Sequence, residues 1–273
     1  MDSRVQELTA LLREISKGGV AVAFSGGVDS ALLLSVLAAL RKKEPFPLLA
    51  VTVSSDLQQP AEKLEAESLC KKWDVPFRAL DVRLLHDDRI RHNPVNRCYL
   101  CKKELFLKIQ DEARLGKCAT VIDGTHADDF KVYRPGLRAI RELGIRSPLA
   151  ELGFGKKDVR DAAASLGLEC ARKPSLPCLA TRFEYGVELN AERLREAGEA
   201  ENFIQSLFAV PQDVRVRVHG ALARIEVPPR EFPVIEAHRA EIIGRFRALH
   251  FNYVTLDLEG FRSGSMDASV RDK

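Results

Sequence analysis

The apolar run Val20-Ala21-Val22-Ala23-Phe24 passes without a break into Ser25-Gly26-Gly27-Val28-Asp29-Ser30, and then into Ala31-Leu32-Leu33-Leu34-Ser35-Val36-Leu37. This order predicts a buried strand, a glycine turn and a helix N-terminus. Glycine lets backbone N–H groups close around a phosphate, and the helix dipole favours negative charge there. No Gly-Lys-Ser/Thr follows, so the loop is not a Walker A motif. An ordinary βα turn rich in small residues is the plainer alternative. The agreement of strand, loop and helix argues against it.

The same alternation continues down the chain. Residues 47–55 form a β-branched apolar run suited to a central parallel strand. Leu64, Leu69 and Trp73 have helical spacing within 60–73, and 77–82 reads as a third strand. A helix is predicted at 99–115 and a fourth strand at 119–123, ending in Gly124-Thr125. Repeated βα units imply an α/β fold with a doubly wound parallel sheet, whose ligand lies at the carboxyl ends of its strands. The glycine loop sits at such an end.

Residues 126–149 read as loop-rich and 157–166 as a helix, while Pro174 and Pro177 keep 172–182 irregular. From about 187 the pattern changes. A helix at 191–207, alternating strands at 214–219 and 222–227 turned by Gly220, one helix at 231–249 and a strand at 253–258 describe a smaller α+β domain. The expected domains are therefore 1–185 and 186–273, within a length that accommodates two cores.

Lys and Arg number 42 against 39 Asp and Glu, a net charge of +3 that gives no reason to expect a stable nucleic-acid partner. No apolar run reaches the ~20 residues of a membrane span, and the first 17 residues lack the apolar core of a secretion signal. A cytoplasmic protein is expected, so its six cysteines read as buried apolar residues or as metal and redox ligands rather than disulfides.

Cys98-Tyr99-Leu100-Cys101 is a CxxC at a helix start, where both sulfurs share one side. A thioredoxin-type dithiol lacks the strand that should feed it. Loops following parallel strands converge on one edge, so Cys98, Cys101 and Cys178 can meet there, and three thiolates suit an iron–sulfur cluster with one open iron. A structural zinc needs a fourth ligand, for which His92 is available. Cys70, Cys118 and Cys170 read as core residues.

Asp29 either orients the loop, helps hold Mg²⁺ or is a simple first-turn carboxylate; Asp128 and Asp129 are further Mg²⁺ contacts or a solvated turn. Arg215 and Arg217 fall two apart on a strand and share one face. With Arg224, Glu226 and Arg262 they build a cationic pocket for a phosphate or carboxylate, or else a solvated face of arginine–glutamate cross-strand pairs.

Ser25 to Ser30 resembles the PP-loop of the ATP pyrophosphatases, which split ATP into pyrophosphate and an AMP adduct. Together with Tyr133-Arg134-Pro135-Gly136, Cys178-Leu179-Ala180-Thr181-Arg182-Phe183, Val214-Arg215-Val216-Arg217, Ala223-Arg224-Ile225-Glu226 and residues 254–264, it makes nearly the whole chain similar to the LarE family. That resemblance implies adenylylation of a carboxylate of pyridinium-3,5-biscarboxylic acid mononucleotide and its conversion to a thiocarboxylate, toward the nickel-pincer cofactor of lactate racemase. It implies ATP at Ser25, Gly26, Gly27, Asp29, Ser30, Val53, Gly124 and Thr125, with Mg²⁺. Arg182, Glu201, Arg215, Arg217, Glu226 and Arg262 would line the site of the nucleotide substrate.

One branch of the family sacrifices the sulfur of a single cysteine; the other holds a 4Fe–4S cluster on three. With Cys98, Cys101 and Cys178, this chain resembles the cluster branch, reloaded by sulfide or a sulfur-donor system. Failing a cluster, Cys178 is the sacrificial donor. The resemblance also implies a homo-oligomer, a trimer or hexamer. A PP-loop tRNA thiolase and a non-enzymatic nucleotide-binding module with a zinc clip are the competing readings.

Overall fold

The computed structural model describes residues 3–59, 61–131, 134–173, 177–262 and 264–267. In chain order its elements are α1 (Ser3–Ser16), β1 (Val20–Ala23), α2 (Val28–Arg41), β2 (Leu48–Ser55), α3 (Ala61–Trp73), β3 (Phe77–Val82), α4 (Asp88–Arg91), α5 (Arg97–Leu115) and β4 (Thr120–Ile122). Then come α6 (Gly136–Glu142), α7 (Pro148–Glu151), α8 (Lys156–Ser165), α9 (Ala191–Ser206), β5 (Arg215–His219), β6 (Leu222–Glu226), α10 (Phe232–Ala237), α11 (Arg239–Ala248) and β7 (Tyr253–Leu256). The chain divides into two compact units: 1–55, 60–82 and 96–173 form one, and 56–59, 83–95 and 174–273 the other.

The first unit is a four-stranded parallel sheet in the order β3-β2-β1-β4. Alternate strand residues serve opposite cores, as the period of a strand requires. Val20 and Val22 of β1, with Leu48 and Ala50 of β2, pack against Leu8 and Leu12 of α1, Leu32 and Leu33 of α2 and Val159 of α8. Ala21, Leu49 and Val51 face Phe106, Ile109 and Ala113 of α5 and Ile140 of α6. Helices therefore cover both faces, the doubly wound α/β arrangement. The strand order reverses between β1 and β4, so the loops leaving these two strands flank the switch point.

The second unit has a three-stranded sheet, β5-β6-β7, with β5 and β6 antiparallel and β6 and β7 parallel. Segments distant in sequence join it through main-chain bonds: Leu179 N–H to Leu57 C=O at 2.8 Å, Gly186 to Asn93 at 2.9 Å and Leu189 to Arg91 at 2.8 Å.

Several elements depart from the sequence expectation. The single helix predicted at 231–249 is two, because the chain leaves helical geometry at His238 (φ −98°, ψ 15°), whose carbonyl then starts α11 by accepting from Ile242 N–H. The segment read as loop at 126–149 contains α6 and α7, and α1 is a further amphipathic helix burying Val5, Leu8, Leu12 and Ile15. β7 stops at Leu256, because Asp257 C=O closes a turn with Gly260 N–H at 3.0 Å.

Leu33 is fully buried and Leu64 is 70% exposed. Leu33→Ala is expected to destabilise the chain by about 2–5 kcal/mol in urea denaturation. Leu64→Ala is expected to change it by less than about 0.5 kcal/mol.

Candidate active site

Two groups of functional side chains stand out, one in each unit. In the first, the chain leaves β1 with Phe24 N–H bonded to Val51 C=O at 2.8 Å and turns at Gly26, whose φ of +75° suits glycine. Gly27 is the extended N-cap of α2. The two serines tie the turn. Ser30 Oγ accepts from Ser25 N–H at 3.3 Å and donates to Gly27 C=O at 3.2 Å; Ser25 Oγ accepts from Gly27 N–H at 3.3 Å. The first-turn amides of α2, which have no acceptor inside a helix, are left at the mouth of this turn.

Gly124 packs against the same turn from β4. A Cβ there would lie 2.9 Å from Asp29 Cβ and 3.0 Å from Ser30 N, so only glycine lets the two loops approach. Asp123 organises its loop by accepting from Thr125 N–H (3.2 Å), Thr125 Oγ1 (2.5 Å) and Ser147 Oγ (2.6 Å). Val53 lies on β2, two residues past the partner of the last residue of β1, and half-buried. Ser25 to Ser30, Val53, Gly124 and Thr125 thus gather at the carboxyl ends of neighbouring strands.

Lys156 was not legible in the sequence as part of this site. Its ammonium grips both oxygens of Asp29, at 2.8 and 2.6 Å, while its backbone N–H donates to Asp128 Oδ2 at 2.7 Å. Lys131 first, and then the Lys156 amide, hold the Asp128 carboxyl below the usual range. Asp129 is buried, accepting from His126 N–H (3.1 Å) and paired with Arg134 (2.9 Å), so it is no solvated turn. Each of these carboxylates already holds a cation or a backbone amide. Gly155-Lys156-Lys157 at a helix start was the available signal.

The cysteines separate into two chemical sets. Cys70, Cys118 and Cys170 lie in the apolar cores, where burial pushes their thiols up, Cys70 to about 12. Cys98 and Cys101 occupy the start of α5, one half-buried and one buried, and neither is in a disulfide. Cys178, in the second unit, is half-buried at the N-cap of a 3₁₀ turn, Leu179–Arg182, and is in no disulfide. His92 turns Nδ1 to the Asp88 carbonyl at 2.9 Å.

The second unit carries a buried arginine network. Arg182, 1% exposed, makes a bidentate pair with Glu201 of α9 at 2.7 and 2.6 Å, and Glu201 also accepts from the Val216 N–H of β5 at 2.9 Å. Arg217 pairs with Glu226 at 2.9 Å and donates to Thr181 C=O at 3.1 Å. Arg224 bridges Glu226 (3.4 Å) and Asp257 (3.1 Å), and Asp257 in turn meets Arg262 at 3.4 Å. Cross-strand pairs therefore exist, but the face of β5 that carries them is buried rather than solvated.

Arg215 stands opposite Glu226 in the register and over the Phe261 ring at 5.2 Å. Burial, then the neighbouring Arg182 and Arg217, push its guanidinium down to about 10. Arg224 Nε is buried with no hydrogen-bond partner among the described residues. The arginines of this network are held by Glu201, Glu226, Asp257 and Glu259, and the charges of Glu201 and Asp213 act on Arg215 against those of Arg182 and Arg217.

A glycine turn opening a helix at the switch point of a parallel sheet defines a PP-loop nucleotide-binding unit, and residues 1–115 match the family model described as a PP-loop domain. The chain is 36% identical over 263 residues to the pyridinium-3,5-bisthiocarboxylic acid mononucleotide synthase of Lactiplantibacillus plantarum, covering 96% of this chain and 93% of that one. It therefore belongs to the LarE family. An uncharacterized protein of Synechocystis is also 36% identical over 98% of both chains, and one of Methanocaldococcus jannaschii 34% identical over 89% of this chain and 91% of the relative. A tRNA(Ile)-lysidine synthase of Pseudomonas aeruginosa is more distant, 27% identical over 77% of this chain and 52% of its own.

Glu201→Ala strands the buried Arg182 guanidinium and the Val216 amide. The expected loss is about 3–5 kcal/mol in urea denaturation, with the affinity for ATP, measured calorimetrically under native conditions, unchanged.

Proposed function

We propose that this chain is an ATP-dependent sulfur transferase. It adenylylates the carboxylates of pyridinium-3,5-biscarboxylic acid mononucleotide, releases pyrophosphate, and converts them to thiocarboxylates for nickel-pincer cofactor synthesis. The observation that carries this reading is that the similarity to the L. plantarum synthase covers 96% of this chain, and so extends over both units.

In this reading the β- and γ-phosphates lie on the first-turn amides of α2 and the hydroxyls of Ser25 and Ser30. The adenosine lies against Val53, Gly124 and Thr125. Asp29 fits Mg²⁺, because its two oxygens already chelate a cation, the Lys156 ammonium. Asp29 would hold Mg²⁺, which when bound would supply charge neutralisation for the phosphates. Lys156, beside Asp29 at the same turn, supplies a second positive charge for the phosphates. The substrate carboxylate attacks the α-phosphorus, an O–P bond forms, the α–β bridging P–O bond breaks, and pyrophosphate leaves against Lys156 and the loop amides.

Arg215, Arg217 and Arg262 take the phosphate of the substrate nucleotide; Arg182, Glu201 and Glu226 hold those arginines in register. Sulfur attack on the acyl carbon then breaks the acyl–oxygen bond and expels AMP. The donor chemistry fits a 4Fe–4S cluster on Cys98, Cys101 and Cys178, since none of the three is tied up in a disulfide and thiolate sulfur is the donor such a cluster takes. When bound, the cluster supplies a labile sulfide as nucleophile, replenished by sulfide or a sulfur-donor system. The enzyme works in the cytoplasm as a homo-oligomer, trimer or hexamer. Among the described residues no helix is long and apolar enough to cross a membrane.

Anaerobically reconstituted protein is expected to bind about four irons with broad absorption near about 400 nm, and to form thiocarboxylate with pyrophosphate release. Cys98→Ala should abolish both the absorption and the thiocarboxylate while ATP binding persists. Unchanged product, with loss of one sulfur from Cys178 by mass spectrometry, would instead establish the sacrificial route.

Lys156→Met tests the activating half of the reaction. It should lower the rate of pyrophosphate release by about 10²-fold or more with a smaller effect on ATP affinity. A wild-type rate would remove Lys156 from the reaction.

A further inference from the structure

Arg97 opens α5 and is 2% exposed, one of the largest fully buried side chains among the described residues. Arginine is rarely buried to this degree unless anions or acceptors face it. One of its partners is a sulfur: Nη2 donates to Cys98 Sγ at 3.5 Å. The guanidinium stays protonated and donates from a rigid fork, so this contact brings a fixed positive charge as well as a hydrogen bond. The N-terminus of a helix of 19 residues adds its own positive end to the same sulfur.

We propose that Arg97 is a positioning residue for the sulfur centre, fixing Cys98 Sγ by its hydrogen bond and supplying the positive charge that offsets an anionic cluster at the CxxC turn. The proposal rests on the cluster reading above. Three thiolates around a 4Fe–4S core sum to net negative charge, which is costly to bury unless donors or cations face it. Hydrogen bonds to the ligating sulfurs are also among the levers that set a cluster's reduction potential. A donor that carries positive charge stabilises the more electron-rich state, so Arg97 raises the potential and its loss lowers it.

The test uses the full chain, reconstituted anaerobically, with Arg97→Gln and Arg97→Lys beside wild type. Iron content and an EPR-monitored redox titration are read on each, after circular dichroism establishes folding. Arg97→Gln keeps a polar N–H donor on a shorter side chain but loses the charge, and its midpoint potential is expected to fall. Arg97→Lys is expected to return it toward wild type. A folded, fully loaded Arg97→Gln with the wild-type potential overturns the proposal.

Should neither variant fold, pulsed EPR of the reduced wild type in H₂O and D₂O decides. An exchangeable proton coupled to the cluster is expected, and its absence sinks the idea. A wild-type chain that binds no iron fails the cluster reading itself, and the proposal with it. Iron binding without the shift fails the Arg97 assignment alone.

Discussion

Everything in the first unit depends on how closely two backbones approach at the carboxyl ends of β1 and β4. A methyl group on Gly124 would lie 2.9 Å from Asp29 Cβ, inside any real contact, so the loop after β4 seats against the first turn of α2 only because that side chain is absent. Asp123 makes the approach rigid by absorbing three donors from Thr125 and Ser147. The left-handed Gly26 then aims the chain so that Ser25 and Ser30 can close the turn. The anion site is thus a property of the sheet's switch point, where two loops meet, rather than of the hexapeptide alone.

The local parts of this arrangement were legible in the sequence, and its long-range parts were not. An apolar run broken by two glycines before a leucine-rich stretch states strand, turn and helix by itself, because each rests on local backbone and burial preferences. The pairing of Lys156 with Asp29 spans 127 residues and follows no period. It depends on α8 starting at Lys156 and packing beside α2, a consequence of three-dimensional packing. The arginines show the same division. Alternation along β5 places Arg215 and Arg217 on one face, but valine–arginine alternation also describes a half-solvated strand. What buries that face is α9 and the turn Leu179–Arg182, through Glu201 and Thr181. The split helix at His238 left no mark as strong as a proline or glycine in the sequence.

The cysteines illustrate how environment sorts a residue type that composition treats as uniform. Cys70, Cys118 and Cys170 sit where desolvation suppresses the thiolate, the nucleophilic and metal-binding form. Cys98 has a guanidinium donor instead of an apolar wall. The Cys178 carbonyl accepts from Thr181 Oγ1 at 2.8 Å and from Arg182 Nη1 at 3.2 Å. Bonds to that carbonyl hold the backbone of Cys178 in place. The contrast lies in what surrounds each sulfur, which a count of six cannot express.

Both units hold cations on carboxylates at the places where the proposed chemistry needs them for phosphate. Lys156 rests on Asp29; Arg217 rests on Glu226; Arg224 and Arg262 share Asp257. Without those carboxylates, clustered like charges in a poorly solvated region would repel one another and oppose folding. With them, an arriving phosphate needs only to compete for cations already gathered in one place. Arg215 sits among these cations. Its guanidinium is held down to about 10 by burial and by the positive charges of Arg182 and Arg217. The carboxylates of Glu201 and Asp213 act in the opposite sense. The ion pairs of Arg182, Arg217 and Arg224 therefore let a face this rich in guanidinium groups be buried and stay folded.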